Sequence, residues 1–154
     1  EKWFKNYYYN DFTYPDWNFE FFNKIIGTLS KKFNLPILIT TGSTNVEFVN
    51  NLTDKFFTKK NDNIFFYNNL QKNLILLKNL NFRQIEFVLK ENCNFLVACE
   101  GGITHLSHNL GIDTFAFVQG NRGNFYKHWT GHMNKIKLFE RTNSANMLKI
   151  LSNL

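Results

Sequence analysis

The chain has little cysteine, little proline and no long apolar run. Cys93 and Cys99 are its two cysteines, and neither their number nor their spacing makes a disulfide framework or a zinc site. Free thiols in a reducing, cytoplasmic setting are expected. No apolar run approaches the roughly 20 residues that span a bilayer, which excludes a transmembrane helix. No signal-peptide pattern opens the chain. It begins with Glu1 instead of Met and reads as a fragment. There is no internal repeat, no Pro/Gly-rich linker and no dense basic run, the tightest cationic pair being Lys59-Lys60. One domain over residues 1–154 is therefore expected.

What is present is apolar and aromatic. Hydrophobic residues make up 44% of the chain and aromatics 18%, with 18 Phe, which excludes a disordered chain. The bias toward Asn, Lys, Phe and Ile looks like that of a low-GC genome and carries no function. The net charge of +6 favours anionic partners: nucleotides, membrane headgroups or nucleic acid. The basic residues are spread out and do not interleave with aromatics in one patch, so nucleic acid is not the expected partner.

In chain order, Trp3 to Tyr9 suits a first strand and Asn10 to Asp16 a loop. Trp17 to Phe33 has helical spacing, with Phe22, Ile26, Leu29 and Phe33 on one stripe and Asn34 as the stop. Pro36 to Thr41 is an apolar strand. Gly42-Ser43-Thr44-Asn45 turns into a helix from Val46 to Phe57, either capping it or touching a ligand. Lys59 to Asn63 reads as a loop and Ile64 to Tyr67 as a strand. Leu74 to Leu77 suits a strand or a helix start. Asn81 to Asn92 is helical, Thr114 to Val118 a strand, Gln119 to Asn124 a polar loop, and Phe125 to His132 an aromatic-rich loop. Ile136 to Phe139 is a last strand, and Ser144 caps a final helix through Leu151. The alternation predicts an α/β fold with a doubly wound, mainly parallel sheet and right-handed crossovers. The loops after Thr41, Cys99 and Val118 all leave strand carboxyl ends and would converge on one crevice.

The stretch Phe95 to Gly111 organises the rest. The apolar run Phe95-Leu96-Val97-Ala98-Cys99 reads as a buried strand. Glu100, Gly101 and Gly102 then lead into a helix carrying Ile103, Leu106 and Leu110, stopped by Gly111. Glycines let a ligand approach the backbone, and the first turn of a helix offers N–H groups to an anion. A phosphate or diphosphate suits such a corner; an ordinary βα turn that needs small residues reads the same way. Arg122 suits a phosphate. Tyr126 and Trp129 suit stacking on a base or sugar, a packed lid or a domain contact. His105 and His108 are three apart, and His128 and His132 four apart. No carboxylate or thiol joins them at ligand spacing, and no metal is expected.

From Glu100 to Gly111 the chain resembles the C-terminal half of a family-nine glycosyltransferase, the ADP-heptose:lipopolysaccharide heptosyltransferase family. That signature is an acidic residue, a small residue, Gly, any residue, a Ser, Thr or Met, then His-Leu, with Leu-Gly a few residues on. The resemblance implies a Rossmann-like donor-binding domain, one half of a two-domain GT-B enzyme. It implies that Gly101, Gly102 and Thr104 meet the diphosphate of a nucleotide sugar, with His105 and Glu100 nearby. It also implies that Thr40, Thr41 and Gly42 border the nucleoside, and the donor-binding set takes in Gln119 and Arg122 of the polar loop. The family's phosphate-binding Lys has no counterpart in Asn10 to Asp16, which leaves Arg122 as its substitute. The catalytic carboxylate is expected in an N-terminal acceptor domain outside this chain. The implied activity is transfer to a lipopolysaccharide or other cell-surface glycan, in the cytoplasm or at the inner face of the membrane, without a cofactor. A non-catalytic nucleotide-binding module is the alternative, and a basic nucleic-acid-binding domain a more distant one.

Overall fold

The computed structural model describes residues 18–42, 46–68, 73–119 and 123–154. The expected strand at Trp3 to Tyr9, the loop at Asn10 to Asp16, the caps Ser43 and Thr44, and Arg122 lie outside the described residues. The described residues form two compact units: 18–83 with Ser144–Leu154, and Gln84–Asn143.

The first unit opens with α1 (Phe19–Phe33). Asn18 starts it: its side-chain oxygen accepts from the Phe21 amide at 2.8 Å, satisfying a donor that has no partner within the helix. Asn34 ends it in the left-handed region (φ 47°), donating its amide to the Ser30 carbonyl. Phe22 and Ile26 of the expected stripe are buried. The strand β1 (Ile37–Thr40) and the helix α2 (Glu47–Phe56) follow. Then come β2 (Phe57–Lys59), β3 (Ile64–Tyr67) and β4 (Leu74–Leu77). Their order is β1-β4-β3-β2, with β1 and β4 parallel and the other pairs antiparallel. Phe22, Ile26, Leu52, Phe57, Leu74 and Leu76 form its core. The last helix, α6 (Ser144–Asn153), buries Met147 and Leu151 and packs on α1, where Lys32 Nζ donates to the Ser152 carbonyl at 3.1 Å.

One open reading is settled here and one expectation changes. Leu74–Leu77 is a strand, held by its pairing with β1 on one side and β3 on the other. Phe57 to Lys59 is a strand as well, where helix end and loop were expected. With one apolar residue in three it has no periodicity of its own; Phe57 pairs with Tyr67 and folds the segment into a hairpin edge. Asn61 closes that hairpin, its side chain accepting from the amides of Asn63 and Ile64 at 3.0 and 2.9 Å.

The second unit holds most of α3 (Phe82–Asn92), then β5 (Phe95–Cys99), α4 (Gly102–Asn109), β6 (Asp113–Gln119), α5 (Gly123–Thr130) and β7 (Ile136–Arg141). Its sheet is wholly parallel, in the order β5-β6-β7. Ala116 and Phe117 of the central strand are fully buried. Leu89, Leu106 and Ile112 are the core between helices and sheet. The expected single sheet is thus replaced, among the described residues, by a mixed four-stranded sheet and a parallel three-stranded one, and the α/β class stands.

Phe125 to His132 was expected to be a loop, yet residues 123–130 are helical. The segment hides its period because it buries no apolar stripe. Thr130 is its one buried residue, while Phe125 and Trp129 face outward. Hydrophobic periodicity finds only helices that turn their apolar side to the core.

Candidate functional site

The carboxyl edge of the β5-β6-β7 sheet gathers polar side chains that are buried together. Register places them: Cys99 lies opposite Phe117 and Gln119 opposite Arg141. Glu100, the first residue past β5, donates its amide to the Phe117 carbonyl at 3.3 Å, so the strand pairing holds it in place. Glu100 is 3% exposed and Arg141 1%. Arg141 Nη2 lies 3.9 Å from Glu100 Oε1, an ion-pair distance beyond hydrogen-bond range. The same nitrogen donates to Gln119 Oε1 at 3.4 Å, and Nη1 donates to Cys99 Sγ at 3.2 Å. From α5, the Tyr126 hydroxyl donates to Glu100 Oε1 at 3.4 Å. Glu100 Oε2 is buried and has no hydrogen-bond partner among the described residues.

Burial pushes the Cys99 thiol up to about 12, against the opposing pull of Arg141 and with a smaller push from Glu100. Cys99 is therefore a protonated thiol whose sulfur accepts from Arg141, and it is no nucleophile at neutral pH. Cys93, half-buried, is also pushed up by burial, though its hydrogen bond to the Phe95 carbonyl opposes this.

The Gly-Gly corner follows directly. Gly101 has φ 154° and ψ −169°, a region open essentially to glycine alone. It is the turn that swings the chain from β5 into α4. Gly102 begins α4, and a Cβ built on it would meet nothing within 4 Å. The first-turn amides of α4 thus start at an uncrowded corner, and geometry denies them acceptors within the helix. The Thr104 amide is the exception, since it bonds the Gly101 carbonyl at 3.0 Å. At its other end α4 closes on Gly111 (φ 70°). The Gly111 amide bonds the His108 carbonyl at 2.9 Å and the Ile112 amide the Ser107 carbonyl at 2.9 Å, the two bonds of a Schellman cap.

The expected site residues fare differently. Glu100, Gly101, Gly102 and Gln119 meet at the carboxyl edge of one sheet. Thr104 is buried, and its hydroxyl donates to the Gly101 carbonyl at 2.7 Å, which ties down the turn and leaves that proton unavailable to a phosphate. His105 is exposed on α4. Thr40, Thr41 and Gly42 belong to the first unit, at the carboxyl end of β1. There Thr41 Oγ1 accepts from the Asn79 amide at 3.3 Å and the Thr41 carbonyl from the Leu80 amide at 3.0 Å. Of the four histidines, His108 and His132 adjoin, ring centroids 5.7 Å apart. Among the described residues no group of three or more His, Cys, Asp or Glu could hold a metal ion.

Arg141 and Tyr126 are the residues that sequence reasoning missed in this role. The one available signal was an arginine two residues past the apolar run Ile136 to Phe139, on the same face as Phe139 by strand alternation.

No protein family, no curated protein sequence and no solved structure matches the chain. Among the described residues no helix is long and apolar enough to cross a membrane.

Proposed function

We propose that the second unit is the donor-binding part of a GT-B glycosyltransferase of the family-nine type, a Rossmann-like domain that takes a nucleoside-diphosphate sugar. One observation carries this reading. A buried carboxylate with an unpartnered oxygen, Glu100 Oε2, sits immediately before a glycine turn that opens onto a helix N-terminus. The two features suit opposite ends of one ligand. The amides of Gly102 and Ile103 suit the diphosphate, and the carboxylate suits a hydroxyl donor such as a sugar or ribose ring.

In this reading the diphosphate departs as the acceptor attacks, and the protein stabilises the growing negative charge with N–H groups that need no rearrangement. A helix N-terminus contributes about 0.3–1 kcal/mol at an exposed site, too little to hold a nucleotide sugar alone. Arg122 supplies the cation and His105 a further polar contact. Thr104 acts through the turn instead of touching phosphate. The acceptor, a lipopolysaccharide or other cell-surface glycan, and the catalytic base come from a further domain, at the cytoplasmic face of the membrane.

Calorimetric titration with ADP, GDP, UDP and CMP tests this. Binding of one nucleotide, lost in Gly102→Asp and weakened in Arg122→Ala, is the expected result. Nucleotide binding with no sugar transfer in the presence of an acceptor domain would favour a non-catalytic nucleotide module. Binding that ignores both substitutions would refute the assignment.

A further inference from the structure

We propose that Arg141 is a positioning residue for ligand binding: it holds one oxygen of the Glu100 carboxylate and leaves the other, Oε2, to accept a ligand hydroxyl. This role rests on the donor reading above. Arg141 ends β7 and reaches across β6 to the β5 side of the sheet, where it meets Cys99 and Glu100. At 1% exposure it offers a ligand no surface of its own. Its effect on binding therefore passes through a neighbour, and Glu100 is the neighbour with an oxygen to spare.

Two neutral groups hold the guanidinium. Nη1 donates to Cys99 Sγ at 3.2 Å and Nη2 to Gln119 Oε1 at 3.4 Å. Gln119 is an amide, and burial keeps the Cys99 thiol protonated. The two bonds therefore fix the direction of the fork without cancelling its charge. That charge falls on Glu100 Oε1, 3.9 Å from Nη2. The Tyr126 hydroxyl donates to the same oxygen at 3.4 Å. A carboxylate is planar, so holding Oε1 from two sides sets where Oε2 points. An ionised carboxylate oxygen only accepts, so the group that fits Oε2 is a donor such as a hydroxyl. As a device for stability the ion pair is poor. Both charges are buried, and at 3.9 Å no hydrogen bond joins them. Apolar side chains of similar volume often serve a core as well or better. What they do not provide is an acceptor fixed in direction.

Calorimetric titration of the whole chain with ADP-glucose, GDP-mannose, UDP-glucose and inorganic pyrophosphate tests the role. Pyrophosphate carries no sugar or ribose hydroxyl and reports the helix corner alone. Arg141→Lys keeps the charge but puts one nitrogen where two were anchored. It should weaken the nucleotide sugar that binds by about 10-fold or more, the worth of a hydrogen bond to a charged group, and change pyrophosphate affinity by less than about threefold. Gln119→Met removes one anchor, keeps the charge and should act the same way. Circular dichroism checks each fold, and Gln119→Met carries the test if Arg141→Lys does not fold. In a Glu100→Gln background either replacement should change nucleotide-sugar affinity by less than about threefold, because the residue it acts through is gone. Equal loss of both kinds of ligand would make Arg141 a structural residue and overturn the role. So would unchanged nucleotide-sugar binding in both variants, or an undiminished loss in the Glu100→Gln background. A wild-type chain that takes none of the nucleotide sugars would overturn the donor reading and this role together.

Discussion

Replacing Gly102 with Asp separates ligand binding from folding at one position. The new Cβ meets no atom within 4 Å, and Gly102 is not among the positive-φ glycines, so the substitution brings neither a clash nor backbone strain. Removing a helical glycine recovers up to about 0.5–1 kcal/mol of chain entropy. A carboxylate in the first turn of α4 adds about 0.3–1 kcal/mol through the helix dipole. The variant should unfold at the wild-type temperature or a few degrees above it. For a bound diphosphate the same carboxylate is a like charge at the same corner. Two unit charges about 5 Å apart repel by about 3 kcal/mol at an effective dielectric of about 20. That is a loss of at least about 100-fold in affinity, and the Debye length of about 10 Å at 0.1 M salt is too long to screen it away. Gly102→Ala is the control: stability rises slightly and binding changes less than about tenfold. Calorimetry and thermal unfolding on the same samples measure both quantities. An Asp variant that binds nucleotide as well as wild type would refute the phosphate corner; one that unfolds would refute the open geometry of the turn.

Three further outcomes follow from the same unit. Gly111→Ala forces a Cβ into a left-handed residue at φ 70° and should cost about 1–2 kcal/mol in urea unfolding, while Gly111→Asn, better tolerated there, should cost less. Arg141→Met leaves the Glu100 carboxylate buried without its counter-charge. It should destabilise by about 3–5 kcal/mol, with most of the loss recovered in Glu100→Gln/Arg141→Met; equal stabilities of the single and double variants would remove the ion pair from the account. Cys99, pushed up to about 12 by burial, stays protonated in the folded chain after an unfolded thiol, near 9, has ionised. Its contribution is therefore complete below about pH 9 and is lost as pH rises toward 12, by up to about 1.4 kcal/mol per pH unit. The stability of Cys99→Ala should fall less steeply over that window, and thiol reagents at pH 8 should label Cys93 before Cys99.

Much of the architecture is legible in local pattern. Asn34 marks the end of α1, and the apolar runs at Ile37, Phe95, Thr114 and Ile136 become strands with little change of bounds. The Gly-Gly corner and the Gly111 stop are legible for the same reason, since each depends on the φ its own residue can adopt. The helix α5 is illegible because its exposed aromatics conceal the helical period. The strand β2 is illegible because three residues acquire strand geometry only by pairing with β3.

The site divides along the same line. Glu100, Gly101 and Gly102 are adjacent in the chain, and a strand leading through glycine into a helix is a local statement. Sequence alone determined that this corner exists. Only the tertiary structure brought Arg141, Gln119 and Tyr126 to Glu100, because parallel register aligns residues separated by whole βαβ units. It also decided that the Thr104 hydroxyl serves its own turn and that Cys99 is an inert thiol. Those are matters of burial and partner choice, and side chains acquire both only when the strands and helices that carry them pack together.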